Sequence, residues 1–210
     1  MSITKETQGL YDEFPEIREI KNGFFIECGA NDGVYYSVCH DLDVNLGWTG
    51  INIECNQFVW EDLQHNRPRC VNLNYALSDS DGKELWFMIP RNDHENRGLK
   101  TGNASLHFLP THWRGLKIDK FAVTTISVLT LLEQQKVEHI DIFALDVEGH
   151  EYTVLKNLAK WPVKPDIFCI EWVLWPHRGE GRRKNMQAFM DKHDYIFRRR
   201  QGHNLFFKKR

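Results

Sequence analysis

Two hydrophobic periods alternate along the chain. Short runs dense in aromatic and aliphatic residues, at 24–28, 50–54, 71–74, 122–126, 141–146 and 167–172, predict buried strands. Between them apolar residues recur at helical spacing: Val34, Val38 and Leu42, then 58–65, then Val128, Leu131 and Leu132 behind Ser127 as an N-cap. Tyr152, Leu155, Leu158 and Ala159 mark a further helix that Trp161-Pro162 ends, and 182–193 predicts the last one, with Met186, Phe189 and Met190 inside. The runs 195–197 and 205–207, joined across Gln201-Gly202-His203-Asn204, predict a terminal hairpin. Strands alternating with helices predict an α/β fold: a mostly parallel sheet, helices on both faces, and an antiparallel C-terminal pair.

Three segments stand outside this alternation. Residues 1–22 are polar with apolar insertions at Leu10, Tyr11, Phe14, Ile17 and Ile20, which predicts a helical cover over the sheet, interrupted at Pro15. Asp79-Ser80-Asp81-Gly82 is a hairpin turn signal, and 83–89 reads as an added strand. Residues 90–112 are polar and aperiodic, with Gly98 and Gly102; irregular stretches of that length are usually functional, so a lid is expected there. The remainder, 23–210, is read as a single domain carrying that insertion.

Composition narrows the partners. A net charge of −2 makes no global case for nucleic acid, although Arg182-Arg183-Lys184, Arg198-Arg199-Arg200 and Lys208-Lys209-Arg210 make the C-terminal part basic. The five cysteines are scattered with no C-x-x-C, which predicts reduced thiols and a cytoplasmic location. There is no signal peptide or membrane-length apolar run, so no membrane span is expected. The chain is read as a whole protein or as a domain of a larger glycan-modifying one.

The chemistry centres on Phe24-Phe25-Ile26-Glu27-Cys28-Gly29-Ala30-Asn31-Asp32-Gly33. A strand runs into a turn with two glycines, where a ligand can approach the backbone closely. G-x-G-x-x-G and GK[ST] are both absent. Glu27 before the turn disfavours a diphosphate and favours a cationic ligand. Glu54, 21 residues beyond Gly33, stands at about the spacing at which an acid meets ribose hydroxyls. A nucleoside bearing an amino-acid cation suits both acids, which points to S-adenosyl-L-methionine.

Four stretches resemble the FkbM family of methyltransferases: F-I-E-C-G-A-N-D-G at 25–33, G-W-x-G-I-x-I-E at 47–54, N-Y-A-L-S-D at 74–79, and D-I-F-A-L-D-V-E-G-H-E at 141–151. The resemblance implies a class I, Rossmann-like methyltransferase that uses S-adenosyl-L-methionine to O-methylate sugars or natural products. It implies cofactor contacts at Glu27, Gly29, Ala30, Asn31, Gly33, Ser37 and Glu54, with Ala76 and Ser78 near the adenine. Asn103-Ala104-Ser105-Leu106 resembles a further family segment, which with His107 is assigned to the substrate.

Asp146, Glu148 and His150 follow a strand end and are the candidate catalytic residues, with His150 or Asp146 as base for the acceptor hydroxyl. Asp146 and Glu171 resemble the acids that hold a metal in catechol-type and some sugar O-methyltransferases, which implies Mg2+ or Mn2+, with His150 or His177 as a further ligand. Trp172 follows Glu171 where those enzymes carry a second acid or Asn. Trp172, Trp175 and Trp113 are candidates for a sugar-stacking wall, and His177 for a substrate contact. The reading is an O-methyltransferase acting on a small-molecule or glycan acceptor. An RNA methyltransferase and a non-catalytic adenosine-binding module are the alternatives.

Overall fold

The computed structural model describes residues 4–91, 104, 106, 114–172 and 180–210. Strand β1 (Phe24–Cys28) is the third strand across a seven-stranded sheet. On one side it pairs in parallel with β2 (Thr49–Ile53), which pairs with β3 (Val71–Leu73). On the other it pairs with β7 (Ile142–Leu145), followed by β8 (Ile167–Glu171). The hairpin β9 (Tyr195–Gln201) and β10 (Asn204–Lys209) finishes the sheet, β10 running antiparallel to β8.

Side chains alternate between the faces of a strand, and both faces here are apolar. Ile26, Ile51, Phe143, Leu145, Phe168 and Ile170 point to one side. They meet α4 (Val128–Gln134) through Leu131 and Leu132, and α5 (Glu151–Leu155) through Val154 and Leu155. Phe25, Ile142, Ala144, Cys169 and Phe206 point to the other. They are covered by α1 (Lys5–Glu13) with Leu10 and Tyr11, by a 3-10 turn at Pro15–Glu19 with Ile17, and by α2 (His40–Val44) with Leu42. The expected N-terminal cover, broken at Pro15, is therefore present. Ser127 caps α4 as expected, its Oγ accepting from Thr130 N at 3.1 Å. The helices α3 (Gln57–Asn66) and α6 (Glu180–Asp191) complete the layers.

The structure differs from the sequence reading in two places. The chain around Asp79-Ser80-Asp81-Gly82 is not a hairpin. Strands β4 (Ala76–Ser78) and β5 (Glu84–Arg91) lie on either side of β6 (Lys117–Ser127) in a separate three-stranded sheet, β4 parallel and β5 antiparallel to it. Asp81 is the reason. Its carboxylate accepts from Ser127 N at 2.7 Å and from Thr130 Oγ1 at 2.8 Å, so the turn docks on the end of β6. The second difference follows β1. The helix expected from Val34 to Leu42 is only its last part, α2. Ahead of α2 the chain turns through Asn31, Gly33 and Tyr36, all with positive φ. Glu27 takes the N–H groups of Val38 and Cys39, at 2.6 and 3.1 Å, and a side chain thus replaces a helical turn. Most of the expected lid, 90–112, lies outside the described residues, which include only Ala104 and Leu106 beyond Arg91.

Candidate active site

Two cavities open at the carboxyl ends of β1, β2, β7 and β8, where an open α/β sheet holds its ligands. One, about 100 Å³, is lined by Asn31, Ile53, Glu54, Ala76, Leu77, Phe87 and Ala104 among others. The other, about 720 Å³, is lined by Glu27, Asp146, Glu148 and Glu171, with Lys5 and Glu6 of α1 and Gln201, His203 and Asn204 of the hairpin. Cys28, Gly29, Tyr35, Tyr36, Asp146 and Glu148 border both. The glycine turn is packed against the end of β7: a Cβ on Gly29, whose φ is +78°, would stand 1.7 Å from the carbonyl oxygen of Asp146.

Glu54 is held by the backbone. Its Oε2 accepts from Asn31 N at 2.9 Å and its Oε1 from Asn56 N at 2.7 Å. Burial pushes its pKa up, against the pull of these N–H groups. The Cys55 N–H and thiol also hydrogen-bond to this carboxylate, which borders the smaller cavity. The residues present thus fit a nucleoside: an acid fixed by two amides, beside an apolar slot at Ala76, Leu77 and Phe87.

Glu27 borders the larger cavity but is committed inward. Besides Val38 N and Cys39 N, it accepts from Ser37 Oγ at 2.7 Å and faces Arg67 Nη1 at 3.5 Å. Arg67 is fully buried, and its Nε donates to Asp43 Oδ2 at 2.6 Å. Glu27, expected to face a cationic ligand, thus has Arg67 as an internal cation while it also borders the larger cavity. Ser37 borders neither cavity, since its hydroxyl serves Glu27. Ala30 and Gly33 border neither, and shape the turn. Ser78 also turns away, its Oγ lying 2.9 Å from His150 Nε2. Of the candidate cofactor contacts, Gly29, Asn31, Glu54 and Ala76 are brought to the smaller cavity.

His150 is 2% exposed and borders neither cavity. Its ring faces Ser78, so it is not placed to act as base beside Asp146. Glu148 is brought there instead, in a left-handed conformation with φ +52°. One carboxylate oxygen each from Asp146, Glu148 and Glu171 fall within 4.8 Å of one another. Crowding acids out of water raises their pKa values. Asp146 is pushed well up by burial and then by Glu171, with which it shares a hydrogen bond. Burial and the charges of Asp146 and Glu151 take Glu148 to about 9. Burial takes Glu171 to about 7, against the opposing hydrogen bond from Asp146. Glu171 Oε2 is buried with no hydrogen-bond partner among the described residues. Glu151, opening α5, is a separate matter: its Oε1 accepts from Gly149 N at 2.9 Å.

Trp172 packs against the core rather than either cavity. Ser105, His107, His177, Trp113 and Trp175 lie outside the described residues. The basic C-terminal stretch is largely matched by acids. Arg198 pairs with Glu13 at 3.0 Å, Lys208 with Glu16 at 2.8 Å, Lys209 with Asp166 at 3.7 Å, and Arg210 with Asp191. Sequence reasoning missed Tyr35, Tyr36, Lys5, Glu6 and the hairpin turn as cavity residues, and Arg67 as the partner of Glu27. The tandem tyrosines directly after the glycine turn were a usable signal; the others meet only in three dimensions.

The parallel sheet with its antiparallel end and the cavities at its carboxyl edge define a class I methyltransferase fold. The chain belongs to the FkbM methyltransferase domain family, which it matches over residues 27–197. Among solved structures it is similar to methyltransferase FkbM from Methylobacillus flagellatus KT, at 13% identity and a TM-score of 0.52, over 90% of this chain and 44% of that one. The chain thus spans less than half the length of that relative. It is also similar to a TehB-like SAM-dependent methyltransferase from Corynebacterium glutamicum (9% identity, TM-score 0.48, 100% and 89% of the two chains). TrmK from M. capricolum, solved with S-adenosylhomocysteine, matches at 10% identity and a TM-score of 0.45, over 93% and 65%. Among curated proteins none matches the chain. Among the described residues no helix is long and apolar enough to cross a membrane.

Proposed function

We propose that the chain is an S-adenosyl-L-methionine-dependent O-methyltransferase acting on a sugar hydroxyl of a glycan or glycoconjugate. The observation that carries this reading is the junction of the two cavities at Gly29, Asp146 and Glu148, with the backbone-held acid Glu54 beside an apolar slot on one side and clustered carboxyls on the other. The cofactor would supply an electrophilic methyl group on a sulfonium. Glu54 holds the ribose hydroxyls, and Ala76, Leu77 and Phe87 enclose the base. The larger cavity, polar and with exposed tyrosines at its edge, takes the acceptor. Methyl transfer to oxygen must dispose of the hydroxyl proton. Glu171, which lines the larger cavity and whose pKa burial raises to about 7, accepts it, while burial and the neighbouring acids raise Asp146 and take Glu148 to about 9.

A second form of the same chemistry is favoured by the spacing of Asp146, Glu148 and Glu171. Three carboxylate oxygens this close suit Mg2+ or Mn2+, which would lower the hydroxyl pKa and orient a vicinal pair. The paired basic residues of the hairpin weaken the RNA reading, because their charge is already met. The deciding experiment is cofactor turnover on a panel of methyl glycosides, with EDTA and then with added Mn2+ or Mg2+. Turnover abolished by EDTA and restored by the ion supports the metal form; turnover indifferent to EDTA leaves Glu171 as an unaided base. Tight S-adenosylhomocysteine binding with no turnover on any acceptor would favour the non-catalytic module.

A further inference from the structure

Tyr35 and Tyr36 sit where the two cavities meet, and the chain around them is pinned on both sides. Before them, Asp32 Oδ1 accepts from Val34 N at 3.0 Å and Tyr35 N at 2.7 Å. After them, Ser37 Oγ, Val38 N and Cys39 N are all held by Glu27, and the Ser37 carbonyl accepts from Thr4 Oγ1 at 3.0 Å. Between these anchors Tyr36 is held at φ +61°, a conformation that a bulky residue rarely adopts. Nothing in core packing calls for it: Tyr35 is 43% and Tyr36 57% exposed. Their rings meet edge to face with centroids 4.1 Å apart, and their phenol oxygens are 3.3 Å apart. Strain of this kind, held in place by surrounding hydrogen bonds at a ligand cavity, is what a positioned recognition group looks like.

We propose that Tyr35 and Tyr36 form the platform that recognises the acceptor, stacking against the C–H face of its sugar ring and presenting its hydroxyl toward Asp146 and Glu171. The inference rests on the sugar O-methyltransferase reading above and adds the residues that select the acceptor. Tyrosine gives a rigid apolar face and a hydrogen-bonding tip at small entropic cost, which matches a ring that is apolar on its faces and polar at its rim. Of the two cavities the tyrosines border, the larger, at about 720 Å³ against about 100 Å³, has the room for a stacked ring.

The test separates recognition from folding. Tyr36→Gly removes the ring and at the same time relieves the left-handed backbone. The variant should unfold at an equal or higher urea concentration and bind S-adenosylhomocysteine as the wild type does. Its KM for the best methyl glycoside of the panel should rise by about tenfold, with kcat little changed, as expected when uniform binding is lost. Tyr36→Phe should restore most of the affinity, and Tyr35→Ala should repeat the KM effect should the glycine variant fail to fold. An unchanged KM in both ring-deletion variants, or a loss that falls on S-adenosylhomocysteine binding instead, overturns the platform while leaving the enzyme reading in place. A wild type that methylates no glycoside overturns both.

Discussion

Glu27 and Arg67 meet in the interior with side-chain exposures of 4% and 0%, an acid from β1 facing a guanidinium that arrives just beyond α3. Arg67 also donates to the Gly33 carbonyl at 3.0 Å and to the Cys39 carbonyl at 3.2 Å, tying the whole turn after β1 together. Removing one partner of a buried pair leaves an uncompensated charge. Arg67→Met is therefore expected to lower unfolding free energy by about 3–5 kcal/mol, read from urea denaturation. The double variant with Glu27→Gln should recover part of that loss. A single-variant cost below about 1 kcal/mol would mean that the pair is solvated in solution.

Glu54 presents a carboxylate whose orientation two backbone amides have already set. Glu54→Ala should weaken S-adenosylhomocysteine binding about 10- to 100-fold by calorimetry, corresponding to the loss of charge-assisted hydrogen bonds. An unchanged dissociation constant in the folded variant would remove the residue from the cofactor site.

The rate should depend on pH through Glu171. With its pKa near 7, kcat/KM should rise with pH along a single ionisation near neutrality and then level off, until Glu148 begins to ionise near 9. Glu171→Gln should abolish that rise and lower kcat by about 100-fold or more. His150→Gln should keep the profile, since His150 faces Ser78. A profile that instead disappears in the His150 variant would return the base to the histidine.

Stability should fall as pH rises across the same range. Glu151, Glu171 and Glu148 hold their protons in the folded chain up to about 7, 7 and 9, whereas the unfolded chain releases them near the ordinary value of 4.5. Their contribution is therefore complete below about 4.5 and is lost as pH climbs through 7 toward 9. The melting temperature should drop between pH 5 and pH 9, by about 2–4 °C for each kcal/mol lost in a chain of this length. Mn2+ bound at the carboxyl cluster should reverse the trend, raising Tm more at pH 8.5 than at pH 6. A Tm indifferent to Mn2+ at both values would exclude the metal form.

The main sheet was legible in the residues because its strands are apolar on both faces and stretches of different periodicity separate them. The acid of the smaller cavity was legible as well: Glu54 stands at the end of a strand run, where a charge has no place in core packing. Direction was not legible. Nothing in the local pattern tells that Glu27 turns toward Arg67, forty residues on, or that His150 turns toward Ser78; in each case the partner comes from a distant strand or helix. The three-stranded sheet was hidden too. Its turn has the residues of a hairpin, and only the docking of Asp81 on Ser127 reveals that another strand lies between its arms.

The Gly29 backbone and the Asp146 carbonyl leave no room between them for even a methyl group. On the proposed reading, the loop beside the cofactor and the residue that addresses the acceptor are consequently a single mechanical part: a shift of one carries the other with it, and occupancy of one cavity should alter affinity in its neighbour.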